Sequence, residues 1–316
     1  MPASIKQADA ADFKALGSAR NNAVLNNDDW TAFDNQVVTV SRQVLTLMSD
    51  FVSSGMTYSL PNAYSYTQLE HNTVGDSGKA KLSMDSDDEN DSDRIEFKPG
   101  STPLPIISSG FQINNRVLAV ARRAGTPLET IQAANSTRRV GEKIEDLIMN
   151  GAGKMQFAGS KIQGLSNATG SGTYTIQDWA NPGVTGEQIV ADVLAMKQVN
   201  KTNLCFGGSI LYVSSTFEAR LGEDYKGSSD KTLQTRLEEI PDIMVKVINS
   251  VAANTVLLVV MNSSTADLIV GYQPTLAEWR STNSENAAHN FKVSAIVVPR
   301  MRLNSIDKTG VVRGTI

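Results

Sequence analysis

The sequence predicts an α+β fold, and three observations predict it. A helix-periodic segment with its own start and stop signals occupies the middle of the chain. Short β-branched runs follow it between Ile210 and Val270, and the closing stretch from Phe291 alternates apolar with polar residues. A period near 3.6 marks a half-buried helix and a period of two marks a half-buried strand.

The central segment carries the clearest local signals. In Gly125-Thr126-Pro127-Leu128-Glu129, Thr126 can cap a helix, Pro127 suits its first position and Glu129 can close a capping box. Leu128, Ile131, Ala134, Val140, Ile144, Leu147 and Ile148 are expected on one face, with Leu128, Ile131, Ile144 and Leu147 as its core. Arg138 and Glu142 can pair one turn apart, and Asn150-Gly151 supplies the stop. The predicted helix, 127–149, would be a rod of roughly 35 Å.

Upstream, the first 27 residues are rich in Ala, Asn and Asp, offer little to bury beyond Phe13 and Leu16, and read as an arm. Asp28-Asp29 then provide cap chemistry for a helix through Trp30, Phe33, Val37, Val40, Val44, Leu45 and Met48, ending at Gly55. Residues 56–104 read as an extended hairpin, β-favouring at Thr57 to Tyr66 and again at Arg94 to Phe97. Its middle holds the sharpest charge run, Asp85, Asp87, Asp88, Glu89, Asp91 and Asp93. Such a block repels itself and reads as a solvated loop or as a partner for basic residues of a neighbouring subunit. A calcium loop opening at Asp85 is disfavoured because Asn90 stands where the sharp turn wants glycine and no flanking helices are evident.

Downstream of the rod, a Gly/Ser/Thr-rich loop over 164–173 leads to a second capping box, Thr185 with Gln188, and a helix through Ile189, Val193, Leu194 and Met196. Strands are expected at 210–213, 243–248, 255–261 and 267–270, with a helical segment at Leu233 to Glu239. Phe291 to Val298 and Met301 to Val312 read as a half-exposed antiparallel sheet.

Composition narrows the function. Of 316 residues, 41% are hydrophobic and 20% charged, enough apolar mass for a core. The run Thr255 to Met261 is too short to span a bilayer, and no basic-then-apolar leader pattern opens the chain, so a cytosolic protein without a membrane partner is expected. Cys205 alone cannot form an internal disulfide, and with only His71 and His289 no zinc site can be assembled. A net charge of -4 argues against a dedicated DNA-binding domain. Gly151-Ala152-Gly153-Lys154 lacks the upstream glycine of a phosphate loop, has Met155 in place of Ser/Thr and follows a helix instead of opening one. Neither histidine lies near a nucleophile elbow, so both read as surface or packing residues. Sequons at Asn135, Asn167 and Asn262 carry little weight without a secretory route. No catalytic residues, cofactor or metal are assigned. An arm, a long hairpin and a rod are elements that an isolated chain uses poorly and an assembly uses well.

Three stretches resemble a known family. They are Asp29-Trp30 through Asp34 to Arg42 and Leu45; Pro103-Leu104-Pro105-Ile106-Ile107, Phe111-Gln112-Ile113 and Arg116-Val117-Leu118 on through Ala121 to Thr130, Val140, Glu142, Glu145, Asp146, Gly151 and Gly164-Leu165; and Phe291-Lys292-Val293 with Pro299-Arg300 and Thr309-Gly310-Val311. Together the chain resembles the major capsid proteins of the Hong Kong 97 phage type and their relatives, the encapsulin shell proteins.

The resemblance implies an arm and leading helix (1–55), an extended loop (56–104), a peripheral domain (105–180 and 273–316) built on the spine helix, and an axial domain (181–272). It implies a non-enzymatic virion protein that assembles as pentamers and hexamers around double-stranded DNA, with portal and scaffolding partners and only non-specific DNA contact. The long arm and acidic hairpin favour this over an encapsulin-type compartment. Between subunits, Asp85, Asp87, Asp88, Asp91 and Asp93 are expected to meet Arg122, Arg123, Arg138 and Arg139. Some family members cross-link a hairpin lysine to an asparagine; Lys79, Lys81 and Asn304 lie in the corresponding regions, yet no motif marks them, and they read as ordinary surface residues.

Overall fold

The structure is a computed structural model that describes residues 45–74, 84, 97–123, 128–153, 156–157, 159–227, 230–280 and 288–316. The arm, most of the leading helix, the acidic run, the cap at Thr126-Pro127, and Lys79 and Lys81 lie outside the described residues.

Helix α1 (Thr46–Ser53) starts behind Leu45, whose backbone (φ -84, ψ 63) is not helical, so the leading helix expected to run unbroken through Leu45 to Met48 is interrupted at that residue. Helix α1 stops where the sequence places the stop: Gly55 adopts φ +69, its amide reaches Val52 O at 3.1 Å, and Met56 N reaches Phe51 O at 2.8 Å. That pair of bonds is the Schellman arrangement, which a left-handed glycine makes possible. Strand β1 (Thr57–Ser59) follows, then the hairpin of β2 (Gln68–Val74) and β3 (Phe97–Pro103), in register from Gln68 opposite Pro103 to Val74 opposite Phe97.

Strand β4 (Ile107–Asn114) and helix α2 (Asn115–Arg123) lead to the spine helix α3 (Leu128–Asn150). Beyond it, the short pair β5 (Gln156–Phe157) and β6 (Ser160–Lys161) turns the chain back beneath the helix end. Two glycines make this closure possible. Gly151 has φ +66, and a side chain on Gly164 would lie 2.3 Å from Gly151 N and 2.6 Å from Met149 O. Only backbone fits there.

Two larger sheets carry the rest. The first has order β1, β11 (Ala266–Arg280), β12 (Ala288–Met301), β4; it is antiparallel except for β1, which runs parallel to β11. The second has order β7 (Gly172–Thr175), β13 (Val311–Thr315), β10 (Thr255–Val260), β8 (Ser209–Ser214), β9 (Ile243–Ile248). Helices α4 (Gly186–Thr202), α5 (Glu218–Leu221) and α6 (Leu233–Glu238) cover one face of the second sheet, burying Leu211, Val213, Val256 and Leu258 against Ile189, Val193 and Leu237. The Thr185 capping box forms as expected: Gln188 N donates to Thr185 Oγ1 at 3.4 Å and Thr185 N to Gln188 Oε1 at 2.8 Å.

A second core lies between the other face of that sheet (Tyr212, Leu257, Val259), the spine helix (Val140, Ile144, Ile148) and one face of the four-stranded sheet (Phe291, Val293, Ala295, Val297). A smaller third core, with Leu60, Ala63, Leu104 and Leu147, covers part of the sheet's opposite face at Ile269, Ile296 and Val298.

Three further expectations are corrected. The closing segment is not one half-exposed sheet: β12 alternates only in its first half and is buried on both faces from Ser294 to Arg300, because separate cores cover its two sides there. The residues after it belong elsewhere. Asn304 Oδ1 accepts the amides of Ile306 and Lys308, Asp307 takes φ +55, and this turn sends β13 into the five-stranded sheet. Sheet membership therefore crosses the expected borders at 181 and 272, since β7 and β13 complete the sheet of the axial segment while β11 begins at Ala266 in the other.

The third correction concerns Ile131, expected in the core and 49% exposed. At about 100° per residue, thirteen positions set it about 140° from Ile144, whereas Ala133, Val140 and Ile148 fall within about 40° of that residue. All of these and Leu147 are buried. The side chain of Leu128 lies outside the described residues.

Candidate assembly surface

The surface is built on the spine helix and the four-stranded sheet. Arg138 and Arg139 are exposed on α3, and Arg138 Nε stands 3.7 Å from Glu142 Oε1 with both side chains more than half exposed, so the predicted pair forms in the solvated setting where such pairs contribute little. Arg123 is exposed at the end of α2. The side chain of Arg122 and Asp85, Asp87, Asp88, Asp91 and Asp93 lie outside the described residues.

Apolar surface accompanies these cations. Val117 and Val120 of α2 are exposed, as is Ile131. The outer face of the four-stranded sheet presents Tyr64, Tyr66, Ile106 and Trp279. Tyr64 packs edge-on against Tyr272 at 5.3 Å and its hydroxyl lies 3.4 Å from Ser294 Oγ. From there towards Trp279 the register lines that face with small or polar residues: Thr275, Ser294 and Ser108 abreast, then Ala277, Lys292 and Gly110.

Beneath the surface, buried ion pairs fix the framework, and sequence reasoning missed them. Asp267 accepts Arg300 Nε at 2.7 Å and Arg302 at 2.6 Å, and Arg300 also stacks on the Tyr58 ring at 5.3 Å. Burial by itself would raise the Asp267 carboxyl; the bonds from Arg300 and Arg302 outweigh it and hold the group below its ordinary range. Glu145 accepts the amide of Leu47 at 2.9 Å, and burial pushes its carboxyl up to about 7, against the pull of the Leu47 and Met48 amides. Asp50 accepts the Tyr212 hydroxyl at 3.0 Å and the Lys246 ammonium. Burial and the neighbouring Asp50 raise the Tyr212 phenol far above its ordinary value. The available signal was a lone charge inside an apolar pattern: Asp50 between Met48 and Phe51, Asp267 at the head of an apolar run.

His289 is a fully buried packing residue with Nδ1 2.8 Å from Glu278 Oε1, and His71 is half-buried against Gly100. Asn304 is a turn residue whose amide donates to Asn203 O at 2.7 Å. Among the described residues no cluster of His, Cys, Asp or Glu is arranged to hold a metal ion, and no helix is long and apolar enough to cross a membrane.

Solved structures share this fold across almost their whole length. The virus-like particle of Pyrococcus furiosus superposes with a TM-score of 0.63 at 16% identity, covering 90% of this chain and 98% of the other. The capsid of Myoviridae phage XM1 gives 0.62 at 12% identity, covering 84% and 90%, and Mycobacterium phage Bobi gives 0.59 at 14% identity, covering 84% and 89%. At such identities the likeness is one of fold, and it is the α+β capsid fold of the Hong Kong 97 phage type that the sequence resemblance implied. No curated protein matches the chain in sequence. A family model described as a family of unknown function, DUF6260, matches residues 19–312, and the chain belongs to that family.

Proposed function

We propose that this protein is the non-enzymatic shell subunit of a phage-type capsid, assembling from pentamers and hexamers into a closed head around double-stranded DNA. The observation that carries the reading is the extent of the match: the capsid of phage XM1, Mycobacterium phage Bobi and the Pyrococcus virus-like particle share this fold over 84% to 90% of the chain. Portal and scaffolding proteins would be the partners in the host cytoplasm, with the virion as destination, and DNA would be contacted without sequence preference. The division into arm, extended loop, peripheral and axial parts belongs to this reading. Within it, the acidic run of one subunit meets the exposed arginines of a neighbour's α2 and α3.

Electron microscopy of the purified full-length chain, alone and with its scaffolding partner, tests the proposal. Closed shells support it, while a stable 34 kDa monomer under both conditions overturns it. An encapsulin-type compartment is the second reading, favoured by the 98% coverage of the Pyrococcus particle. Shells isolated from the native source separate the two: packaged DNA marks the phage head, a co-purifying cargo enzyme the compartment.

A further inference from the structure

The base of the hairpin meets two distant segments in a cleft of about 290 Å³. Strands β2 and β3 supply His71 and Thr102, the chain from β6 onward supplies Lys161 and Thr169, and the end of β12 with the turn after it supplies Arg300 and Asp307. The hydroxyls of Ser101 on β3 and Ser160 on β6 are hydrogen-bonded, which ties the first wall to the second.

Charge does not cancel on these walls. Asp267 is shared by two guanidiniums: Arg300, itself 7% exposed, and Arg302 both donate to it, so one carboxylate answers two cations. Lys161 is exposed and makes no ion pair among the described residues. Against these three cations stand Asp267 and Asp307, and one positive charge is in surplus. The field has the same sign at His71, whose imidazole is held below its ordinary value first by burial and then by the charge of Arg300; Arg302 adds to this, and Asp267 pulls the other way more weakly. Hydroxyl donors are also at hand. Thr169 Oγ1 accepts Gln163 Nε2 at 2.7 Å, which leaves its own proton unused, and the Thr102 hydroxyl has no partner among the described residues.

We propose that this cleft is a binding site for a phosphate-type oxyanion, held by the Lys161 ammonium and the arginine-rich wall, with the Thr102 and Thr169 hydroxyls as further donors. The chemistry fits the class. A tetrahedral oxyanion offers acceptor oxygens in several directions at once, so donors that converge from three walls can each meet one, and charge-assisted bonds from an ammonium or a guanidinium are the strong ones. A cation would meet the surplus of like charge. Once bound, the anion would bridge the hairpin base, the chain beyond the spine helix and the link between the two large sheets.

Phosphorus NMR of inorganic phosphate titrated with the unassembled full-length chain tests this, with ionic strength and pH fixed and chloride making up the balance so that diffuse screening stays constant. Saturable broadening is expected. Lys161→Gln and Arg302→Gln, both at exposed or half-exposed positions, should each weaken binding about fivefold, whereas Lys292→Gln on the outer face of the four-stranded sheet should change nothing. Absence of saturation in the wild type overturns the site, and so does equal weakening by Lys292→Gln or wild-type binding in both cleft variants. Should a cleft variant not fold, acetylation of Lys161 in the wild type, followed by mass spectrometry, decides: the site requires phosphate to slow it along the same saturation curve, and an unchanged rate sinks the idea.

Discussion

The five-stranded sheet is covered on both faces by its own chain, with α4, α5 and α6 on one side and the spine-helix core on the other. The four-stranded sheet meets that same core on one face, but among the described residues its other face is covered only in part, by Leu60, Ala63 and Leu104, with Tyr64, Tyr66, Ile106 and Trp279 exposed. Their polar interiors differ as well. In the first unit Trp179 Nε1 and the Gln177 amide both reach Asp192 Oδ2, at 3.0 and 2.9 Å, a compact internal bond set. In the second, Asp267 and two arginines tie strand ends together beside exposed surface. Among the described residues one unit is covered by its own chain, and under the proposed function the other would be completed by a neighbouring subunit.

The largest effect should come from the core both units share. Ile144→Asp would bury an unpaired charge where Ile144 is fully enclosed, leaving the subunit unfolded or insoluble, a loss above about 4 kcal/mol. Solubility and circular dichroism check it, and a folded variant would mean the spine helix packs by another face. Next, Asp267→Ala would strand Arg300, itself 7% exposed, and should cost about 3–5 kcal/mol in denaturant melts. Because the Asp267 carboxyl is held low, the pair's contribution is present above the ordinary carboxylate value of 3.8 and is lost as pH falls through the depressed one.

A smaller effect tests the unit covered by its own chain. Thr185→Ala removes one half of the α4 capping box and should cost about 1 kcal/mol, read by thermal melts, with no change in assembly. Impaired shells from this variant would show that the five-stranded unit also depends on contacts. The smallest effect per contact lies on the other side of the comparison. Changing Asp87, Asp88 and Asp91 to Asn should leave subunit stability unchanged but lower the salt at which shells fall apart, since each exposed pair contributes only about 0–1 kcal/mol and symmetry repeats it. Screening over a Debye length of about 8–10 Å makes salt the right axis, and identical salt curves for variant and wild type would reduce the run to a solvated loop.

What the sequence determined by itself is what neighbours along the chain decide. Capping chemistry, helical period and glycine stops depend on residues a few positions apart, so α4 begins at Thr185, α3 ends at Asn150 and α1 turns at Gly55 where the pattern says. Strands β8, β9 and β10 were legible for the same reason, as apolar runs bounded by turn residues. Which sheet a strand joins was not legible. The 301–312 stretch alternates like one strand, yet the turn at Asn304 divides it, and pairing with β10 and β7 across long separations sets the fate of β13. Ile131 shows the same limit on a helix, where the face that is buried is chosen by what packs against it. The buried carboxylates Asp50, Glu145 and Asp267 find their partners up to about 200 residues away, and such pairing is decided by tertiary structure because burial, the condition that makes a charge need a partner, exists only once the sheets have come together.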